Sequence, residues 1–325
     1  MTTEELPLPH DRFGLIRRDA VRALGLSDYR LAQLVERKVL LRYGRGTYAV
    51  APRFDRSDAA QVAEARAAEL RLRSIAVVTG KNSTGATVLS HQSAAVVHGL
   101  PMLKLPMDRV HLVNGEIGGG KVRSTAVVHA ATLPHGDLVD VDGLAVTSLE
   151  RTAADVAQSV VPESPLAFAQ ALVTLDGALH LGATREGLAL QMERRRRRGT
   201  RIAKTALDYA DGLAESVGES WGRAQMIVAG LPLPTLQVKY VVNGETFRVD
   251  GDWEGTLVWE FDGMSKYGRY RKPGETVADA VLREKRREDA LRGSGLMVIR
   301  AWWAMLERQT MVGQVRHWLD RLGLR

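Results

Sequence analysis

The sequence contains no cysteine, which excludes a disulfide scaffold, a thiolate zinc site and a cysteine nucleophile. No window approaches the roughly 18 consecutive apolar residues needed to span a bilayer. The opening residues, MTTEELPLPHDR, are acidic and have neither a basic start nor an apolar core, so no signal peptide is expected. Together these absences predict a soluble, cytoplasmic protein with no membrane partner. What is present is a globular composition, 45% hydrophobic and 26% charged over 325 residues, long enough for two or three domains.

The chain is basic, with a formal charge of +7, and that charge is unevenly spread. Residues 1–56 hold 11 Lys and Arg against 7 Asp and Glu. Residues 57–210 hold 17 against 15, and residues 211–325 hold 17 against 16. A basic surplus concentrated on one small module is the electrostatic footprint expected of a nucleic-acid binder.

The residues of that module agree. A short helix over 17–24 is stopped by Gly25, a residue suited to the positive φ of a helix end. Ser27 caps a second helix over 28–38, in which Leu31, Leu34 and Val35 recur at helical spacing and face the core. Helix, glycine-containing turn, helix is the pattern of a helix-turn-helix. Two β-rich runs follow, 39–43 and 47–50, joined by Gly44-Arg45-Gly46, a hairpin with a basic tip that reads as the wing of a winged helix. In this reading Tyr29, Arg30, Gln33 and Arg37 face the major groove of double-stranded DNA, and Arg42 and Arg45 lie near phosphates. The competing reading is a protein-docking module whose arginines only solvate its surface.

In the middle of the chain, residues 58–73 are Ala-rich and predict a linking helix. VLSHQSAAVVHGLP predicts a Ser90-capped helix stopped at Gly99-Leu100-Pro101. Strand-like runs cover 109–113 and 121–130, and helical patterns fill about 163–180, 184–195 and 200–211. His91 and His98 are seven apart on one helical face, but no third ligand at metal spacing accompanies them, so structural histidines are expected. Gly118-Gly119-Gly120 lacks the strand-to-helix setting of a phosphate loop and reads as a turn. The five consecutive arginines Arg194–Arg198 read equally as a nucleic-acid contact or a solvated helix end.

SHQSAAVVHGLP, HLVNGE, DGLAVTSLERTAADVA and, further on, EKRREDALR resemble the actinobacterial AbiEi-type antitoxin proteins, in the same order and over nearly the whole chain. The resemblance implies a winged helix that binds DNA at its own promoter and a nucleotidyltransferase-like toxin, encoded nearby, as partner. Composition and periodicity do not imply either.

The C-terminal third carries the carboxylates. A helix over 216–230 is followed by strands at about 236–242 and 245–250, joined by Asn243-Gly244, a type I′ hairpin signal. A strand over 256–262, a long helix over about 275–292 and a strand over 296–301 complete the run. The order α-β-β-β-α-β is that of the restriction-endonuclease-like PD-(D/E)XK core, and the residues resemble its very-short-patch-repair-like branch. Position by position, the resemblance makes Asp250 and Glu260 the paired acids and metal ligands, and Glu219 the first-helix acid. Such a core uses carboxylates to hold Mg²⁺, which activates water and offsets charge on the scissile phosphate. The family pattern has Lys two residues after Glu260, where this sequence has Asp262; Lys266 and Lys285 are the candidate replacements.

Two geometric expectations follow from the residues alone. Side chains alternate along a strand, so Glu260 and Asp262 share a face, and Asp250 joins them only through an odd-length loop such as 251–255, which pairs residue 250 with 256. On the long helix, Val277, Val281, Glu284, Glu288 and Leu291 fall within about 40° of one direction, so two glutamates lie in the stripe that packs on the sheet. Buried carboxylates need a cation, for which Arg286, Arg287 and Arg300 are candidates. Ser216-x-x-Glu219 also reads as a capping box, with Glu219 and Arg223 an i,i+4 pair. Trp259 and Phe261 are expected on the opposite face of the sheet.

The expected architecture is an α+β multidomain chain in three parts. These are a winged helix over 1–56, an α/β middle domain of AbiEi antitoxin type over 57–211, and a restriction-endonuclease-like domain over 212–325. The expected function is a DNA-binding regulator and antitoxin. The rivals are a metal-dependent DNA endonuclease targeted by its winged helix and a toxin-docking interaction protein.

Overall fold

The computed structural model describes residues 8–80, 88–263 and 276–324. Among the described residues it is a mixed α and β structure with three sheets, and the chain divides into two compact units. The first comprises Met1–Arg56, Val62–Gly99 and Pro106–Thr152; the second comprises Ser57–Gln61, Leu100–Leu105 and Ala153–Arg325. Residues 57–211 are therefore shared between two units. The division falls inside a single helix, Leu149–Gln158, which no change of composition marks.

The first unit begins with β1 (Ile16–Arg17), α1 (Arg18–Ala23) and α2 (Asp28–Glu36), then β2 (Leu40–Gly44) and β3 (Thr47–Val50). Gly25 takes φ +79° after α1, and Ser27 Oγ accepts the Arg30 amide at 3.2 Å to cap α2. Ile16, Val21, Leu31 and Leu40 form the small core of this module. Its sheet has the order β1-β3-β2.

After α3 (Ala59–Val78) come β4 (Val88–Leu89), α4 (His91–His98), β5 (Val110–Gly115), β6 (Lys121–Val122), β7 (Ala126–Thr132), β8 (Leu138–Val141), β9 (Leu144–Thr147) and α5 (Leu149–Gln158). The strands form a six-stranded sheet in the order β6-β7-β5-β4-β9-β8, with β5 parallel to β7 and β4 parallel to β9. Leu15, Tyr43 and Ala49 of the N-terminal module share one core with Ile75, Leu89, Ala94, Val97, Val110, Leu112 and Val146. The winged module is thus seated on the sheet of its own unit. Arg12 Nη2 donates to the Asp142 carbonyl at 2.7 Å in the β8–β9 turn, a second tie.

In the second unit, α6 (Ala167–His180), α7 (Arg185–Arg194) and α8 (Thr200–Tyr209) precede α9 (Val217–Val228). Then come β10 (Thr235–Val242), β11 (Glu245–Trp253), β12 (Leu257–Phe261), α10 (Val277–Gly293), β13 (Met297–Ala301), α11 (Trp303–Glu307) and α12 (Thr310–Leu322). The sheet order is β10-β11-β12-β13, antiparallel except for the parallel pair β12 and β13. From α9 to β13 the order of described elements is α-β-β-β-α-β.

Aromatic side chains decide how α9 meets this sheet. A Cβ on Gly218 would lie 2.0 Å from the Phe261 ring, and one on Gly222 would lie 2.5 Å from the Trp259 ring. The two glycines, four apart on one helical face, let both rings approach the α9 backbone closely. On the other side of β12, Val258 joins Leu291 of α10 and Val298 of β13 in a separate core.

Candidate nucleic-acid interface and carboxylate cluster

The wing is a tight hairpin. Leu40 pairs with Val50 and Arg42 with Tyr48, and the turn is only Arg45-Gly46, with Gly46 at φ +68°. The side chains of Arg42 and Arg45 are exposed, although Arg42 Nε also donates to the Gly44 carbonyl at 3.2 Å. On α2, Tyr29 is 73% exposed and Arg37 is open at the helix end. Arg30 and Gln33 are only half-buried, tied together by an Arg30 Nη1 to Gln33 Oε1 bond of 3.2 Å. Asp28, the one acid in the first turn of α2, is paired with Arg18 through a 2.7 Å Nε–Oδ1 bond. That guanidinium holds Asp28 below the usual carboxylate range and offsets the charge that would oppose a phosphate at the helix N-terminus. Helix, wing and cations therefore lie together on one small module.

The carboxylates of the second unit are also gathered, but with arginines. The β11–β12 turn is Glu254–Thr256, and Trp253 pairs with Leu257 and Gly251 with Trp259. The loop is odd in length, but β11 runs three residues beyond Asp250, so that residue does not pair with 256. Asp250 lies one step beyond the Gly251–Trp259 pair, and its Oδ2 accepts the Phe261 amide at 2.7 Å, next to Glu260.

Glu260 is buried on β12 and takes the fork of Arg287 from α10. Nη1 donates to Oε2 at 2.9 Å and Nη2 to Oε1. Arg287 also donates to Glu284 Oε1 at 2.9 Å and to the Arg248 carbonyl at 2.7 Å. Arg300, from the parallel neighbour β13, is bonded to Glu284 and lies 3.4 Å from Glu288 Oε2, 3.7 Å from Asp262 Oδ2 and 3.8 Å from Glu260 Oε2. Burial pushes Glu260 above the ordinary carboxylate range, with Arg287 pulling the other way and the charges of Asp250 and Glu284 adding to the rise.

The helical stripe thus brings Glu284 and Glu288 to the sheet; Arg287 and Arg300 are the cations of Glu284, and Glu288 takes Arg292 Nε at 2.9 Å as well as Arg300. Arg286 and Lys285 are exposed on α10. The side chain that bonds Glu260 from this helix is Arg287 rather than Lys285. Lys266 lies outside the described residues.

Glu219 stands elsewhere. Ser216 Oγ accepts the Glu219 amide at 3.1 Å, as a cap. The Glu219 carboxylate accepts from the Glu215 amide and from Gln237 Nε2, both at 3.0 Å. The expected i,i+4 pair with Arg223 is replaced by a pair across the fold. Arg223 Nη1 donates to the fully buried Asp176 at 2.8 Å, and its Nη2 donates to the Tyr209 carbonyl at 2.8 Å. Desolvation raises Asp176 above its ordinary value against the pull of Arg223. Asp176, fully buried, is costly to leave unpaired, whereas the carboxylate of Glu219 already accepts from the Glu215 amide and Gln237.

Of the arginine run, Arg197 pairs with Asp155 at 3.0 Å and Arg198 with Glu163. The triple glycine joins β5 to β6, with Gly119 at φ +82° and Asn114 Nδ2 donating to the Gly118 carbonyl at 2.8 Å. His98 is structural: its Nε2 lies 2.8 Å from the Thr147 carbonyl.

His91 does have further histidine neighbours, which helix spacing could not reveal. His111 on β5 and His129 on β7 come from strands paired in parallel, with Val113 opposite His129, so His111, Val113 and His129 share a sheet face. Ring nitrogens of His91, His111 and His129 all lie within 4.8 Å of one another. Burial pushes His111 down to about 4, so it is neutral at physiological pH. The legible signal was a histidine at matching strand parity in each of two predicted strands.

Residues 6–51 match the family described as "Transcriptional regulator, AbiEi antitoxin". Two proteins of Mycobacterium tuberculosis are each 34% identical over 167 residues: the uncharacterized protein MT2308 of strain CDC 1551 / Oshkosh and the uncharacterized protein Rv2248 of strain ATCC 25618 / H37Rv. The match covers 46% of this chain and spans 59% of the length of each relative. The crystal structure of the RV2827C protein from Mycobacterium tuberculosis aligns with a TM-score of 0.34 and 17% identity, over 69% of this chain and 78% of that one. That likeness is too remote to carry an argument. No helix among the described residues is long and apolar enough to cross a membrane.

Proposed function

We propose that this protein is a DNA-binding transcriptional regulator of the antitoxin kind, with the N-terminal module as its DNA reader. The observation that supports the reading is the exposure of Tyr29 and Arg37 on α2 and of Arg42 and Arg45 on the wing. They lie within the segment that matches the regulator family. Helix side chains reach base edges while wing arginines hold phosphates. Double-stranded DNA is the first partner in this reading, and a nucleotidyltransferase-like toxin is the second.

A second reading, a Mg²⁺-dependent DNA endonuclease, draws on the approach of Asp250 to Glu260. The donors present do not fit the ion. Both Glu260 oxygens accept from Arg287, Asp250 Oδ2 accepts a backbone amide, and the residue two after Glu260 is an acid near Arg300. Magnesium demands near-ideal octahedral oxygen geometry, and a bidentate guanidinium occupies the direction from which Glu260 would supply it.

One experiment separates the two. Purified protein is mixed with its own upstream DNA for a mobility shift, and with plasmid plus Mg²⁺ for cleavage. The regulator reading expects a shifted complex, weakened roughly tenfold or more in Arg37→Ala/Arg45→Ala with unfolding temperature unchanged, and uncut plasmid. Equal binding by that variant overturns the assignment of the interface. Metal-dependent cutting that disappears in Glu260→Ala overturns the regulatory reading in favour of the enzyme.

A further inference from the structure

The histidine group of the first unit is not used by any of the readings above. His91 opens α4, is 2% exposed, and holds a backbone φ of +48°, a region that residues with a side chain rarely occupy. Its ring stacks on His129 with centroids 3.7 Å apart and planes 13° from parallel. His111 lies beside both, its centroid 5.7 Å from His91 and 5.2 Å from His129. His111 Nδ1 is 3.0 Å from His129 Nε2. Ser90 Oγ lies 3.1 Å from His91 Nδ1, an outer contact of the type that orients a ligating imidazole.

Three imidazoles are thus held together by three separate elements, a helix start and two strands, with one backbone in a costly conformation. We propose that His91, His111 and His129 form a binding site for a divalent transition-metal ion of the zinc class. The donor set is all nitrogen, which suits zinc, copper, nickel or cobalt and disfavours magnesium and calcium. Metal–nitrogen bonds of about 2.0–2.1 Å in a tetrahedral site place ligand nitrogens about 3.4 Å apart. The observed spacing, 3.0 Å for one pair and at most 4.8 Å for the others, brackets this value, and binding requires the stacked rings of His91 and His129 to turn until their in-plane lone pairs converge on the ion. His111 and His129 are only half-buried, so solvent can supply a fourth ligand. Bound metal would pin α4 to β5 and β7, and these elements share their core with Leu15, Tyr43 and Ala49 of the winged module. The inference does not depend on the regulatory reading.

The test uses the untagged full chain, stripped with chelator and titrated with Co²⁺ as a visible probe and with Zn²⁺ in competition. The expected result is one ion per chain, the intense visible absorption of low-coordinate Co²⁺, its loss on adding Zn²⁺, and a raised unfolding temperature. His111→Ala and His129→Ala should weaken Zn²⁺ binding at least a hundredfold, while His317→Ala, at an exposed position on α12, keeps the wild-type affinity. Wild-type protein that gives no such spectrum overturns the proposal, whatever the variants do. So does a His111→Ala protein that binds as tightly as wild type. Should either variant fail to fold by circular dichroism, the wild-type spectrum and stoichiometry alone decide.

Discussion

Glu260 shows what one residue's surroundings do to a carboxylate. It lies buried between Arg287 and the charges of Asp250 and Glu284, and burial raises its pKa despite the guanidinium. Its folded-state pKa exceeds that of the unfolded chain. Its contribution to stability is therefore fully present below the ordinary carboxylate value of about 4 and is lost as pH rises through the raised folded value. Arg287, with its side chain 22% exposed, limits that loss by pairing with the ionised form. Removing it in Arg287→Ala leaves the buried Glu260 with the more distant Arg300, at 3.8 Å, and costs about 3 kcal/mol near neutral pH, the lower end of the range for broken buried pairs. At about pH 4 a protonated Glu260 no longer needs the cation, so the gap to wild type should narrow there and widen as pH rises. Urea unfolding of both proteins at the two pH values checks this, and a gap that is constant with pH would refute it. The stripe of Glu284 and Glu288 was legible in the sequence because helical periodicity gives direction. The choice of Arg287 and Arg300 over Arg286 followed from the same periodicity once the strand beside it was known.

Single elements were read well where their signals are local. Ser27 and Ser216 cap the helices they precede, Gly25 ends α1, and Arg45-Gly46 turns the wing. What local pattern could not show were partners distant in sequence. Arg223 pairs with Asp176, and His91 meets two strands, because a side chain's energetic choice is made among all neighbours in space. The glycines of α9 lie between these cases. In a helix, glycine costs up to about 1 kcal/mol relative to alanine, so Gly218→Ala on an open face would stabilise. Here the added methyl would lie 2.0 Å from the Phe261 ring, which is itself packed edge-on against Trp303 at 5.5 Å. Overpacking of this kind costs about 1–3 kcal/mol, which exceeds the propensity gain. Gly218→Ala should therefore lower the unfolding midpoint. Gly313→Ala in α12, where a Cβ meets nothing within 4 Å, should hold or raise it. Chemical denaturation of the two variants decides, and a stabilised Gly218→Ala would show that the rings move aside freely.

At the scale of the whole molecule, composition locates the surplus of basic groups, whereas the compact units follow contacts that composition does not record. Units assembled from three separate stretches leave no mark in composition, and the short segments Ser57–Gln61 and Leu100–Leu105 belong with residues far along the chain. Charge is the whole-molecule property that the sequence does give reliably, because it needs no fold to be counted. Residues 1–56 carry a surplus of basic groups, whereas residues 211–325 are near balance, with 17 basic and 16 acidic groups. Each phosphate neutralised by a lysine or arginine contributes a slope of about −0.9 in log affinity against log salt on duplex DNA. If the wing holds phosphates, Arg42→Ala and Arg45→Ala should each reduce the magnitude of that slope by about one contact. Arg248→Ala, at a residue of the second unit that pairs with Glu215, should leave it unchanged. Titrating DNA binding between about 50 and 200 mM salt for the three variants tests this directly. A slope that falls with Arg248→Ala instead would move the nucleic-acid surface out of the winged module and onto the sheet of the second unit.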